Sequence, residues 1–251
     1  MQKQNKLKII LITAVTLLLM SASAGFGLQI PERLEYDLTW SGILAGYASI
    51  EVKEKGDEVQ FISTAISAPV ISVFYKVEDS AISTLKKGPH KTLPGMLQNN
   101  RVKISEGSNR KDRESQFDIR HKKLTFIDHL SGERVVYDKE KITEDTMDAL
   151  TCFYHVRYQP LEVGKTLYAH LFDNKKFYML EVQVLKREEI ETPLGKFKTI
   201  LIKPILLTEG IFGRKGDVLI WLTDDEKRLP VLLKTKVKIG SIKATMTGGQ
   251  Y

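Results

Sequence analysis

Leu34-Glu35-Tyr36-Asp37-Leu38-Thr39-Trp40 alternates apolar and polar residues along its whole length. Successive side chains of a strand point to opposite faces. The pattern therefore puts Leu34, Tyr36, Leu38 and Trp40 on one face and Glu35, Asp37 and Thr39 on the other. Ala48, Ile50 and Val52 repeat it around Ser49 and Glu51, and Leu180, Val182 and Val184 repeat it around Glu181 and Gln183. Further strands are expected over about 57–66, 77–86, 96–105, 112–119, 123–128, 134–138, 166–172, 197–207, 217–222, 230–238 and 241–247, parted by Gly, Asn, Asp or Pro turns. This succession predicts an all-β, mainly antiparallel protein. Its sheet curls into an open or half β-barrel, in a single domain over residues 25–251.

One main helix is expected, packed on or into that sheet. Thr143 is placed to cap it, Glu144 and Asp145 stand in its first turn, and Met147, Leu150, Phe153 or Tyr154, and Arg157 follow at helical spacing until Pro160. The stretch Ala68 to Tyr75 is ambiguous. Pro69 suits a first helical position, whereas β-branched Val70, Ile71 and Val73 favour extended backbone.

The chain of 251 residues is 42% hydrophobic and 27% charged, which excludes a disordered, collagen-like or polytopic membrane protein. A formal charge of +7 would suggest nucleic acid as a partner if it belonged to one folded unit. Much of it does not. Lys3, Lys6 and Lys8 precede the apolar run Ile9 to Met20 and the small residues Ser21-Ala22-Ser23-Ala24, the pattern of a secretory signal peptide over residues 1–24. Removal of those three lysines, with no acid among them, lowers the formal charge from +7 to +4. The expected location is the periplasm, with no nucleic-acid partner. The lone Cys152 excludes an intramolecular disulfide and reads as a small core residue. The excess of basic residues falls within residues 86–141. There Arg110, Lys111 and Arg113 are the candidate surface for an anionic envelope component or an envelope protein.

Motifs for chemistry are sparse. The histidines show no zinc spacing, and neither a nucleophile elbow nor a phosphate loop occurs, so no catalytic residue, metal or cofactor is expected. Asp224 and Asp225 are the candidates for acid–base work, but Trp221-Leu222-Thr223-Asp224-Asp225-Glu226-Lys227-Arg228 reads as a strand running into a turn. Arg228 would pair with one of the carboxylates. Tyr36, Trp40, Phe61, Phe153, Tyr154 and Trp221 are core residues by default. In a barrel too wide to fill itself they would line a cavity for a lipid or other amphipathic ligand. That gives the leading functional expectation, a non-enzymatic binding protein, with an envelope interaction module as the alternative and a hydrolase behind both.

Four blocks carry a family resemblance: Leu34 through Gly46; the Asp148-Ala149-Leu150, Phe153-Tyr154 and Arg157 pattern; Thr192-Pro193-Leu194-Gly195-Lys196-Phe197; and Trp221 through Asp225 with Arg228-Leu229-Pro230. In this order the chain resembles the DUF3108 domain of exported bacterial proteins. The resemblance implies an all-β envelope protein with an open barrel and brings no catalytic residues. Within the blocks, Gly42 and Gly46 are expected to allow a tight strand reversal, and Pro193 with Gly195 to form a turn. Asp148 and Arg157 would each anchor the helix to the sheet rather than pair with one another.

Overall fold

The computed structural model describes residues 28–90, 92–138, 141–207, 218–236 and 240–251; the leader expected over residues 1–24 lies outside them. Two antiparallel meanders make up one sheet. The first comprises β1 (Glu32–Trp40), β2 (Ile43–Lys55), β3 (Glu58–Ser67), β4 (Glu78–Lys87), β5 (Gly95–Glu106), β6 (Asn109–Asp118), β7 (Lys123–Asp128) and β8 (Glu133–Asp138). The second comprises β9 (Thr166–Asp173), β10 (Lys176–Thr192), β11 (Gly195–Leu207), β12 (Val218–Thr223), β13 (Pro230–Lys236) and β14 (Ser241–Gln250). The β1–β14 ladder joins them, pairing Tyr36 with Met246 and Trp40 with Ile242, so the order runs from β8 back to β1, then β14 back to β9.

No strand ladder closes the sheet between its outermost strands, β8 and β9, among the described residues. Side chains span the gap instead: Phe172 of β9 meets Phe117 and Tyr137 edge-on, and Lys175 is ion-paired with Glu133. Residues 141–148 fill the remaining seam. Ile142 is fully buried there, and Phe172 N donates to Met147 O at 2.8 Å, so the segment pairs locally in parallel with β9.

From the seam the chain turns inward as a helix. A short helix, α1 (Pro69–Ser72), precedes it between β3 and β4, which settles the ambiguous stretch with Pro69 in the first turn. The main helix is α2 (Ala149–Arg157), and it starts later than the sequence suggests. Asp148, not Thr143, is its cap: Asp148 Oδ1 accepts from Thr151 N at 2.8 Å while Asp148 N donates to Thr151 Oγ1 at 3.1 Å. That reciprocal pair satisfies two backbone donors at once. Thr143 instead closes a separate turn with Thr146.

The barrel has two unlike ends. The lower end carries the start of β1, the β2–β3 and β10–β11 turns and the Asp224–Leu229 turn; the upper end carries Ser41-Gly42, the α1 connection, Gly107 and Asn174. α2 descends inside from upper to lower. Its lower part is packed tightly, with the Tyr154 ring 4.6 Å from Phe61 in an edge contact and Cys152 buried in the same cluster. A second cluster surrounds Trp221 with Leu201, Val231 and Met246, and Ile190 and Phe197 of the β10–β11 hairpin lie against it.

Two glycines expected in one reversal have different duties. Gly42, at φ +91°, makes the β1–β2 turn with Ser41. Gly46 lies within β2, where a Cβ would stand 2.2 Å from Ile66 O, so it permits the close approach of β3. Trp40 also departs from the expected pattern: Leu34 and Tyr36 are buried, but Trp40 is exposed at the upper rim, beyond a bulge at Leu38/Thr39.

Candidate functional site

The lower end is locked by charge. The Arg157 guanidinium, 0% exposed, donates to both oxygens of Glu32, itself 3% exposed, at 2.8 and 2.9 Å. Nε and Nη2 also donate to the Arg228 and Lys227 carbonyls at 3.1 Å, and Tyr154 OH donates to Glu32 Oε1 at 2.8 Å. The guanidinium further stacks 4.7 Å from the Tyr154 ring centre. Burial works against the charge of Arg157, but the hydrogen bonds and the charge of Glu32, with smaller contributions from Tyr158 and Tyr154, together outweigh it and hold the group firmly protonated. Arg157 thus ties the helix to β1 and to the β12–β13 turn. Tyr36 OH is buried beside this network, and burial pushes its pKa up.

Asp224 and Asp225 shape the same turn. Asp225 Oδ1 accepts from Thr223 Oγ1, Lys227 N and Arg228 N, and Asp224 is ion-paired with Arg187 at 2.8 Å and Arg228 at 3.0 Å. Burial alone would raise the Asp224 pKa, but hydrogen bonds from Arg228 and Arg187 prevail and lower it. Both carboxylates are occupied in holding backbone and guanidinium groups. Gly195, at φ +112°, completes the β10–β11 turn opposite Thr192.

Among the described residues, the interior toward the upper end is unfilled. One hollow of about 270 Å³ runs along α2 beside β10, β11 and β12, with Phe153, Leu180, Val182, Ile202 and Ile220 in its wall; every lining residue except Asp173 is apolar. A second, of about 300 Å³, lies on the other flank of the helix, where small inward side chains, Ser63 and Ala81, leave room opposite Ile50 and Val102. The two share Ala149, Phe153 and Asp173 in their linings, so they form one trough with the first turns of α2 as its floor. A third hollow of about 190 Å³ shares Asn100, Val102 and Asp173 with the second and is lined by Lys111 and Arg113.

The trough is therefore amphipathic. Arg113 is held by Asp128 at 3.2 Å and Asn174 at 2.6 Å, while Lys111 makes no ion pair among the described residues. Burial raises the Asp173 pKa, against the opposing pull of the Asn174 backbone, Arg113 and Lys111. Asp148 stands in the floor of the second hollow. Burial raises its pKa too, against hydrogen bonding from Ser83 and Thr151.

The aromatic candidates separate on this map. Phe153 lines the trough; Tyr36, Phe61 and Tyr154 are packed around the lower lock; Trp221 is core, its Nε1 donating to Glu188 at 2.8 Å; Trp40 is on the upper rim. Arg110, Lys111 and Arg113 do not form one outer surface, because the strand alternates. Arg110 bonds the Gly107 and Asn109 carbonyls of its own turn, while Lys111 and Arg113 face inward. Sequence reasoning missed Glu32, Ser63, Ala81 and Asp173. The small residues at inward strand positions were the available signal.

A curled antiparallel sheet, left open at one seam among the described residues and plugged by a helix, defines a barrel-like fold. The chain belongs to the family described as "Protein of unknown function (DUF3108)", whose model matches residues 35–247. The crystal structure of the beta-barrel-like protein of the domain of unknown function DUF1849 from Brucella abortus is similar in fold. It has a TM-score of 0.59 and 10% identity, over 88% of this chain and 97% of that one. A Bacteroides fragilis protein described as a candidate exported protein with a YmcC-like fold aligns over 89% of this chain and 97% of its own at 12% identity, but its TM-score is 0.37. No curated protein matches the chain.

Proposed function

We propose that this is an exported, periplasmic, non-enzymatic protein that binds an amphipathic envelope molecule, with an apolar chain in the trough beside Phe153 and an anionic head toward Lys111 and Arg113. The observation that carries the reading is the join between the hollows. Space walled by apolar side chains runs directly into space lined by two inward-facing cations. The two larger hollows together fall within the roughly 300–1,000 Å³ usual for small-molecule sites. A barrel that served only as a scaffold would fill such positions with larger side chains, because empty apolar volume is destabilising.

Solvent extraction and mass spectrometry of the purified chain should release a lipid-like species, and the emptied protein should bind cis-parinaric acid, a fluorescent fatty acid. Ala81→Phe, which fills the second hollow, should weaken that binding. Lys111→Glu should weaken binding of the acid more than that of its methyl ester. A chain that carries nothing and leaves the probe in water refutes the reading.

A further inference from the structure

The upper rim carries an apolar surface that the trough does not explain. Phe74, Val73 and Val70 in and after α1 are 85%, 78% and 74% exposed, far more than large apolar side chains of a folded protein usually are. The surface continues onto the sheet. Tyr47 and Ile66 are exposed partners across β2 and β3, and Trp40 is paired on one side with Ile43 and on the other with Ile242, all exposed.

The projection is held in shape. Ala68 N donates to Ala45 O, Tyr75 N donates to Ile71 O, and the Ser67 and Ser72 hydroxyls are 2.7 Å apart. Tyr75 lies over Gly107, where a Cβ would stand 2.7 Å from the ring, so the β5–β6 turn braces the finger from behind. Lys76 and Arg110 stand at this base, Gly107 N donating to Lys76 O and Arg110 donating to Gly107 O.

We infer that the finger Val70–Tyr75, with Trp40 and Ile43 beside it, docks the protein on a lipid bilayer surface. Three features favour a bilayer over a protein partner. The finger is convex, with single side chains standing clear rather than lining a groove, the form that suits insertion among lipid heads. Apolar side chains at the tip, with Tyr75 and Trp40 behind them and then Arg110 and Lys76, the latter ion-paired with Glu78 at 3.0 Å, follow the order of preference from the acyl region outward to the head groups. The finger also stands at the end of the barrel that holds the trough, so a ligand leaving the trough at that end would enter an apolar phase. This last feature rests on the ligand reading; the other two do not.

The full mature chain would be mixed with vesicles of phosphatidylcholine and phosphatidylglycerol. Sedimentation should carry it down with the lipid, and the emission of Trp40 should move to the blue, whereas buried Trp221 contributes a constant background. The double variant V73D/F74D alters only exposed side chains and should keep the melting temperature and the affinity for cis-parinaric acid. Its vesicle affinity should fall about tenfold or more. A wild type that stays off the vesicles overturns the inference, as does a double variant that binds them equally well. Loss of cis-parinaric acid binding in Ala81→Phe with vesicle binding intact supports docking independently of the ligand. Failure of the wild type to bind the acid at all would remove the ligand reading and leave docking to the vesicle result.

Discussion

Replacing Arg157 with methionine keeps most of the side-chain volume and leaves Glu32 as a buried carboxylate without its cation. In the native structure that carboxylate receives two charged hydrogen bonds from Arg157 and one from Tyr154 OH, and only the last survives. The carbonyls of Lys227 and Arg228 lose their donors as well. Breaking a buried pair from one side costs about 3–5 kcal/mol, a large part of the roughly 5–15 kcal/mol that holds a typical domain folded. For a chain of this size that corresponds to a fall in melting temperature of roughly 6–20 °C. Urea unfolding followed by circular dichroism and by Trp221 fluorescence measures it directly. The double variant Glu32→Met/Arg157→Met tests the cause, because removing both charges removes the stranded carboxylate and should recover part of the loss. If Arg157→Met is destabilised by less than about 1 kcal/mol, or the double variant loses the sum of the single losses, the lower end is not held by this pair.

Other perturbations probe the helix, the thiol and the sheet. Asp148→Asn should retain the helix cap, whereas Asp148→Ala should cost about 0.5–2 kcal/mol in urea unfolding. Burial raises the folded pKa of Asp148 above its unfolded value, so its contribution is fully present below the unfolded pKa and is lost as the pH rises through the folded one. Stability of Asp148→Asn should therefore decline less than that of the wild type as the pH rises across the acid range; parallel curves would count against burial as the cause. Burial pushes the Cys152 thiol up to about 12, so iodoacetamide at pH 8 should leave the folded chain unmodified and label it in urea. Gly46→Ala should destabilise by about 1–3 kcal/mol, because the new methyl group meets the Ile66 carbonyl oxygen and β3 must shift; a neutral result would mean that the strands part easily.

The strands were legible where one face met the core and the other met water, as in Leu34–Tyr36 and Leu180–Val184, because burial there imposes a period of two. Asn109–Asp118 shows the limit. Charge occurs at both parities, so no alternation reveals that Lys111 and Arg113 face inward. The helix start was misplaced for a related reason: Thr143 and Asp148 both offer capping oxygens, and the choice fell to Thr151, whose hydroxyl completes the reciprocal cap at Asp148. Glu32 was out of reach altogether. It stands 125 residues from Arg157 in the chain, and no local pattern selects one carboxylate among many as the partner of a buried guanidinium. The trough likewise comes from what is missing. Ser63 and Ala81 are ordinary strand residues until opposite walls are known to leave them uncovered.

The β1–β14 ladder sets the order in which the molecule can be completed. β1 precedes the other strands, yet the second of its two neighbours is Ser241–Gln250, which follows them. Each meander can form from short-range hairpins, but joining the two halves requires closing a loop of about two hundred residues, which makes this step entropically demanding and slow. Until it happens, β1 and β14 each leave a backbone edge open to other chains. The exposure of these two edges is thus a matter of timing, confined to the interval before two strands from opposite ends of the described chain find each other.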